Sequence, residues 1–221
     1  MIRTKLASEF LGTATLLATV VGSGAMATNL SNDVGVQLLI NTIATVFILY
    51  ILITLLAPIS GAHFNPVVSA ISALAKEISL KTFALYSVAQ IAGAAVGAAI
   101  ANLMFEYPLV NVSQKERTGS NLFLSEVLAT AGLLFIINLA VSQRESKKIP
   151  RLVAAWIGAA YFFTSSTSFA NPAAVIGRTL SDTFSGIAPR SAPLFILAEI
   201  IGALLGYLAF KALTSKSKKR K

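Results

Sequence analysis

Ser60-Gly61-Ala62-His63-Phe64-Asn65-Pro66-Val67 decides the fold, together with a second stretch of the same kind, Ser168-Phe169-Ala170-Asn171-Pro172-Ala173. Asn is a favoured N-cap, and Pro fits the first helical position, where its missing N–H costs nothing. Asn65 and Asn171 therefore each open a helix. The apolar runs that follow, Asn65 to Ala75 and Asn171 to Leu180, are only about half as long as a bilayer crossing requires. Ahead of them lie Pro58 to His63 and Ser165 to Ala170, which read as non-helical. Irregular backbone at membrane depth is tolerated only inside protein or along a wet cavity. Each stretch is thus expected to supply carbonyl oxygens to a water-filled path.

The membrane setting follows from what surrounds these motifs. Of 221 residues, 55% are hydrophobic and 12% charged, and the mean hydropathy is +0.75. Six apolar stretches are long enough to cross a bilayer: roughly Leu6 to Ala27, Val36 to Ala57, Phe83 to Phe105, Leu122 to Val141, Leu152 to Thr167 and Leu194 to Leu213. The first has the basic flank and small residues of a signal peptide, but Glu9 early in its apolar run suits a retained span. With no Cys there is no disulfide, thiolate nucleophile or thiolate metal site. No cofactor, metal or catalytic group is expected.

The chain carries 18 Lys+Arg against 9 Asp+Glu. These cations sit in short flanks between apolar runs, which speaks for membrane orientation and against nucleic acid. Arg3, Lys5, Lys76, Lys81, Arg144, Lys147, Lys148, Arg151 and the run from Lys211 to Lys221 fall on one side of a six-span chain; Lys115, Arg117, Arg178 and Arg190 fall on the other. By the positive-inside rule both termini are cytoplasmic, in the cell (inner or plasma) membrane. The tail 214–221 reads as a solvated topogenic segment resting near anionic lipid.

The chain also repeats itself. Glu9, Asn65-Pro66 and Gln90 through Gly97 recur in order as Glu126, Asn171-Pro172 and Glu199 through Gly206. The repeats cover about 1–110 and about 120–213 of a single channel domain spanning 1–221. Each contains an odd number of spans, so the second is inverted relative to the first. The two Asn-Pro elements then enter from opposite faces and meet near the midplane. There their positive ends repel cations and protons while their donors bind a neutral solute.

These residues resemble the aquaporin and aquaglyceroporin family, the major intrinsic proteins, over essentially the whole chain. The match rests on Ser60 to Val67, on Asn171-Pro172-Ala173 and on the opening Glu9-Phe10-Leu11-Gly12-Thr13. Val67 stands where the family usually has Ala. The resemblance implies an all-α bundle of six transmembrane helices plus two re-entrant half-helices, a pore in each protomer of a homotetramer, and Asn65, Pro66, Val67, Asn171, Pro172 and Ala173 at the pore midplane. It makes Glu9 and Glu126 buried acceptors for the re-entrant backbone, with Gln90 and Glu199 acting similarly; a proton relay is the alternative for such intramembrane carboxylates. Gly93, Gly97, Gly202 and Gly206 read as close-packing surfaces.

One family feature is missing. The position three residues after the second motif's Asn, usually Arg, is Ala174. Spacing transfers the other filter positions to Thr45, Ala159 and Ser168, so all four are small or hydroxylated and a wide constriction is expected. Arg178 lies one helical turn beyond Ala174. It either replaces the missing charge or snorkels to the interface beside Asp182. His63, the only histidine, lies on the cytoplasmic approach, as a pH gate or as an anchor for the loop. The expected permeants are water, glycerol-like polyols, urea or neutral metalloid hydroxides; Ser166-Thr167-Ser168-Phe169 without a filter Arg resembles arsenite channels. Two other readings are an ion-coupled transporter, which inverted repeats also build, and an intramembrane enzyme using Ser23 and His63.

Overall fold

The computed structural model describes residues 2–215. Its helices are α1 Ile2–Leu30, α2 Val34–Ser60, α3 Pro66–Leu74, α4 Leu80–Met104, α5 Ser120–Ser142, α6 Ile149–Phe163, α7 Pro172–Arg178 and α8 Ala192–Ser215. The chain thus runs long, long, short, long, and then repeats that order. Helices α1, α2, α4, α5 and α8 are each long and apolar enough to cross a bilayer. Helix α6, with 15 residues, reaches only about 22 Å as helix. The short members are α3 and α7, each opened by Asn followed by Pro. The basic stretch at 216–221, read above as part of a topogenic tail, lies outside the described residues.

Lipid offers little hydrophobic drive between helices, so the bundle depends on close packing. The most extensive helix pairs are α1 with α4 and α5 with α8, the same pair in each repeat. Glycine makes both possible. A Cβ at Gly97 would overlap the Ala14 carbonyl, and one at Gly206 would overlap the Ala131 carbonyl. Gly93 and Gly202 lie equally tight against the backbone of Phe10 and Val127.

Helix ends explain where the re-entrant segments begin. Helix α2 was expected to stop at Ala57, but it continues through Pro58 to Ser60 and ends on Gly61, whose φ of 97° turns the chain into the left-handed region. Proline within a membrane helix is tolerated when the freed backbone groups find other partners, so Pro58 is a poorer stop signal here than Gly61. The first irregular segment is therefore shorter than expected, 61–65, whereas the second runs from Thr164 to Asn171. Apolar side chains from both repeats, among them Leu17, Leu49, Leu133 and Ile157, form one cluster around this pair.

Candidate functional site: a pore and its outer mouth

The two re-entrant loops adopt the same unusual backbone. Ala62 and Phe64 have φ of 51° and 50°, and Ser168 and Ala170 have φ of 51° and 48°. Such left-handed conformations cost non-glycine residues about 1 kcal/mol or more each. Buried carboxylates offset that cost. Glu9 accepts the Ser60 hydroxyl at 2.6 Å and the His63 N–H at 3.0 Å on one oxygen, and the Phe64 N–H at 2.7 Å and Gln90 Nε2 at 2.8 Å on the other. Glu126 accepts the Phe169 N–H at 2.9 Å and the Ala170 N–H at 2.8 Å. Glu199 accepts the Asn171 N–H at 2.8 Å through one oxygen, while its other oxygen is buried without a partner. Charge-assisted bonds of this kind contribute about 1.5–3 kcal/mol each. Tyr86 adds a bond from its hydroxyl to the Ser60 carbonyl at 2.8 Å.

With loop N–H groups held from behind, the half-helix N-termini face each other. Asn65 Oδ1 accepts the Val67 N–H at 3.1 Å, and Asn171 Oδ1 accepts those of Ala173 and Ala174 at 3.0 and 3.3 Å. Each side-chain amide also reaches across the repeat boundary. Asn65 Nδ2 donates to the Ala170 carbonyl at 2.7 Å, and Asn171 Nδ2 donates to the Phe64 carbonyl at 2.9 Å. An amide NH2 carries two donors, so one N–H of each Asn is left for a molecule in the cavity that both residues line.

That cavity, of about 180 Å³, has two unlike walls. One is apolar, with Leu16, Val20, Leu49, Leu133, Val153 and Ile157. The other is the polar track of the loops, from Gly61 to Asn65 and from Ser168 to Asn171. His63 lies on the approach to Asn65, its Nδ1 3.0 Å from the Ser69 hydroxyl and its ring edge-on to Tyr86. Both contacts tie the ring to helices, Ser69 on α3 and Tyr86 on α4. Ser23, the nucleophile of the enzyme reading, instead accepts a hydrogen bond from Asn41 at 2.8 Å.

The sequence-derived filter residues do not all gather. Thr45, Ser168, Ala174 and Arg178 line the cavity. Ala159 does not; it is exposed on the outer surface of α6. The face of α6 turned inward carries Val153, Ile157 and Tyr161, spaced four apart. Counting back from Asn171 assumed a fixed register across a loop whose left-handed residues break it. Tyr161 therefore takes the place expected of Ala159, with its hydroxyl 3.1 Å from Thr45 Oγ1. The outer end is consequently less open than four small residues would make it.

Arg178 is buried over Phe169, its guanidinium carbon 3.3 Å from the ring centroid, with Nε bonded to the Ser185 carbonyl. It does not snorkel to Asp182, whose carboxylate instead takes the Gln114 N–H at 2.9 Å. Arg117, which sequence reasoning used only as a topology marker, also contacts Phe169, at 5.1 Å from the centroid. Two chain segments meet here: Asn111 and Ser113 donate backbone bonds to Leu180 and Thr179, each at 3.0 Å. Nothing in the local sequence of 105–119 signals that docking.

Comparison with known proteins agrees with this architecture. A family model described as "Major intrinsic protein" matches residues 2–170. Aquaglyceroporin AqpS of Rhizobium meliloti (strain 1021) is 49% identical over 197 residues, covering 89% of this chain and 84% of that protein. Aquaporin NIP3-1 of Arabidopsis thaliana is 28% identical over 97% of this chain and 68% of its own length. The X-ray structure of the aquaglyceroporin from Plasmodium falciparum superposes with a TM-score of 0.71 at 21% identity, covering 96% of this chain and 97% of that one, which bears on the fold. The chain belongs to the major intrinsic protein family and is a multi-pass membrane channel that passes water and small neutral solutes passively, neither an enzyme nor an ion-coupled pump.

Proposed function

We propose that this pore passes solutes larger than water, namely glycerol-like polyols, urea and neutral metalloid hydroxides such as arsenite, alongside water itself. One observation carries the reading. Ala174 presents only a methyl group to the cavity, three residues beyond Asn171, and the nearby guanidinium of Arg178 is drawn aside by Phe169 and Ser185. The unlike walls suit a polyol, whose C–H face packs on Leu, Val and Ile while its hydroxyls follow the loop track and the free N–H groups of Asn65 and Asn171. In this reading Thr45, Tyr161, Ser168, Ala174 and Arg178 form the outer filter. The Ser168 hydroxyl, buried without a partner, is a further donor for the permeant.

Both half-helix motifs, with Pro66, Val67, Pro172 and Ala173 at their first turns, would set the midplane that rejects cations. The name of the aquaglyceroporin that is 49% identical supports a polyol-sized permeant. Proteoliposomes shrunk in a glycerol gradient should re-swell, and those in a sorbitol gradient should stay shrunken. Identical, lasting shrinkage in both would refute the wide pore, and arsenite uptake by the same vesicles tests the metalloid arm.

In this reading both termini lie on the cytoplasmic face of the cell membrane, in a homotetramer. What supports that orientation is the concentration of Lys and Arg on one side of the chain.

A further inference from the structure

Three consecutive backbone carbonyls at the outer mouth each hold a cation. Lys115 Nζ donates to the Phe184 carbonyl at 2.7 Å, Arg178 Nε donates to that of Ser185, and Arg117 Nε donates to that of Gly186 at 2.9 Å. Arg117 also reaches the Ser166 and Phe184 carbonyls with its terminal nitrogens, both at 3.4 Å. All of these acceptors are neutral. They fix the positions of the cations without cancelling their charge.

No carboxylate pairs with them at salt-bridge distance, although Asp182 acts on Lys115, Glu126 on Arg117, and Glu126 and Glu199 on Arg178 from farther off. The ion pairs among the described residues are Lys148 with Glu145 and Arg190 with Glu116. Asp182, the acid that faces Lys115, is engaged by Gln114 and Ser113. Arg178 is 3% exposed and lines the cavity. Its terminal nitrogens have no hydrogen-bond partner among the described residues. A buried cation without a counter-ion in contact is costly; Arg178 is buried, and with half-buried Arg117 and exposed Lys115 close by it defines a site for an anion.

We propose that Lys115, Arg117 and Arg178 capture small monoanions of weak acids, carboxylates or oxyacid anions, at the outer mouth, and that these then cross as the neutral acid. The proposal rests on the neutral-solute pore. The three cations favour the charged form while the anion rests on them; once it moves on to the apolar wall of the cavity, desolvation raises its affinity for a proton. The anion takes that proton from vestibule water, passes the Asn65–Asn171 midplane uncharged and releases the proton to water on the far side, so charge and protons balance. The gain is kinetic. A positive mouth leaves the equilibrium amount of neutral acid unchanged but raises the arrival rate of its abundant anion.

Burial, then Arg117 and Arg178, bring the Lys115 ammonium down to about 8, with Asp182 opposing. Burial likewise lowers the Arg117 guanidinium to about 10, with Glu126 and Tyr161 opposing. Lys115 is thus the member of the trio that discharges first as pH rises.

The test uses the reconstituted full-length channel. Lactate entry is read by a lumenal pH dye and glycerol entry by light scattering in the same vesicles. The lactate-to-glycerol ratio should fall about threefold in Lys115→Gln and about tenfold in Lys115→Gln/Arg117→Gln, within the range of electrostatic steering. Added salt should lower the native ratio toward that of the double variant. As pH rises through about 8, lactate entry by the native channel should fall relative to Lys115→Arg, which stays charged. An unchanged ratio in Lys115→Gln, whose side chain is exposed and tolerant of exchange, overturns the capture site even if Arg117→Gln fails to fold. Chloride current in place of proton-coupled lactate entry also overturns it. Absence of glycerol entry in the native channel refutes the neutral-solute pore instead.

Discussion

Replacing Glu126 or Glu199 by Gln, two changes of identical chemistry, should move stability in different directions. Glu126 accepts two loop N–H groups, Phe169 at 2.9 Å and Ala170 at 2.8 Å, one on each oxygen. Gln offers a single acceptor, so one charge-assisted bond becomes neutral and the other becomes an encounter between two donors. With charge-assisted bonds at about 1.5–3 kcal/mol and neutral ones at about 1, the loss is about 3 kcal/mol. Glu199 accepts only the Asn171 N–H, and its second oxygen is buried without a hydrogen-bond partner, near Glu126. Gln there keeps the acceptor and aims a donor at Glu126. The first repeat already has that arrangement, with Gln90 Nε2 donating to Glu9 at 2.8 Å. Thermal unfolding in detergent, followed through the single Trp, should show Glu126→Gln lowered by about 6–12 °C, at about 2–4 °C per kcal/mol. Glu199→Gln should be unchanged or raised by up to about 12 °C, a gain of at most one charge-assisted bond of about 3 kcal/mol. Equal losses in the two variants would refute the assignment of donors and acceptors behind the loops.

Two further outcomes check the filter and the topology. Arg178→Ala should leave glycerol entry within about threefold while admitting monovalent cations, because it removes the member of the mouth trio that lines the cavity; unaltered cation exclusion would show that the Asn65–Asn171 midplane, with Lys115 and Arg117, suffices. Because the chain has no Cys, single cysteines at Gln143 and at Glu106 can be labelled without background. A membrane-impermeant maleimide applied outside intact cells should mark Glu106→Cys and spare Gln143→Cys, with the reverse pattern inverting the orientation; the mass of the detergent-solubilised assembly tests the homotetramer.

The spans, the two half-helices and their inversion were legible because each rests on a local rule with few competitors. Twenty apolar residues have one use in a chain this hydrophobic, and Asn-Pro after a Gly- or Ser-rich run has few others at membrane depth. What failed was register. Ala159 was placed by counting through eight residues of loop, 164–171, several with positive φ, and there residue number no longer reports which face a side chain takes. The inward spacing of Val153, Ile157 and Tyr161 was present in the sequence as an apolar stripe, but not distinguishable from one facing lipid, since lipid and pore wall are both apolar. Arg117 was beyond reach for another reason: its position depends on two distant loops joining through Asn111 and Leu180.

The mouth and the midplane use opposite halves of the peptide group. Behind the loops, Glu9, Glu126 and Glu199 occupy N–H groups. That leaves the loop's carbonyl oxygens as its remaining backbone acceptors. At the mouth the carbonyls of Phe184, Ser185 and Gly186 are themselves occupied, by cations. A single Arg at the position of Ala174 would both narrow the pore and supply its charge. In the proposed filter the two tasks would fall to different residues, Ala174 giving width and Arg178 giving charge. A pore divided this way can widen for larger neutral solutes without losing its barrier to cations, because Coulomb repulsion declines only as the inverse of distance, whereas steric exclusion ends as soon as contact does.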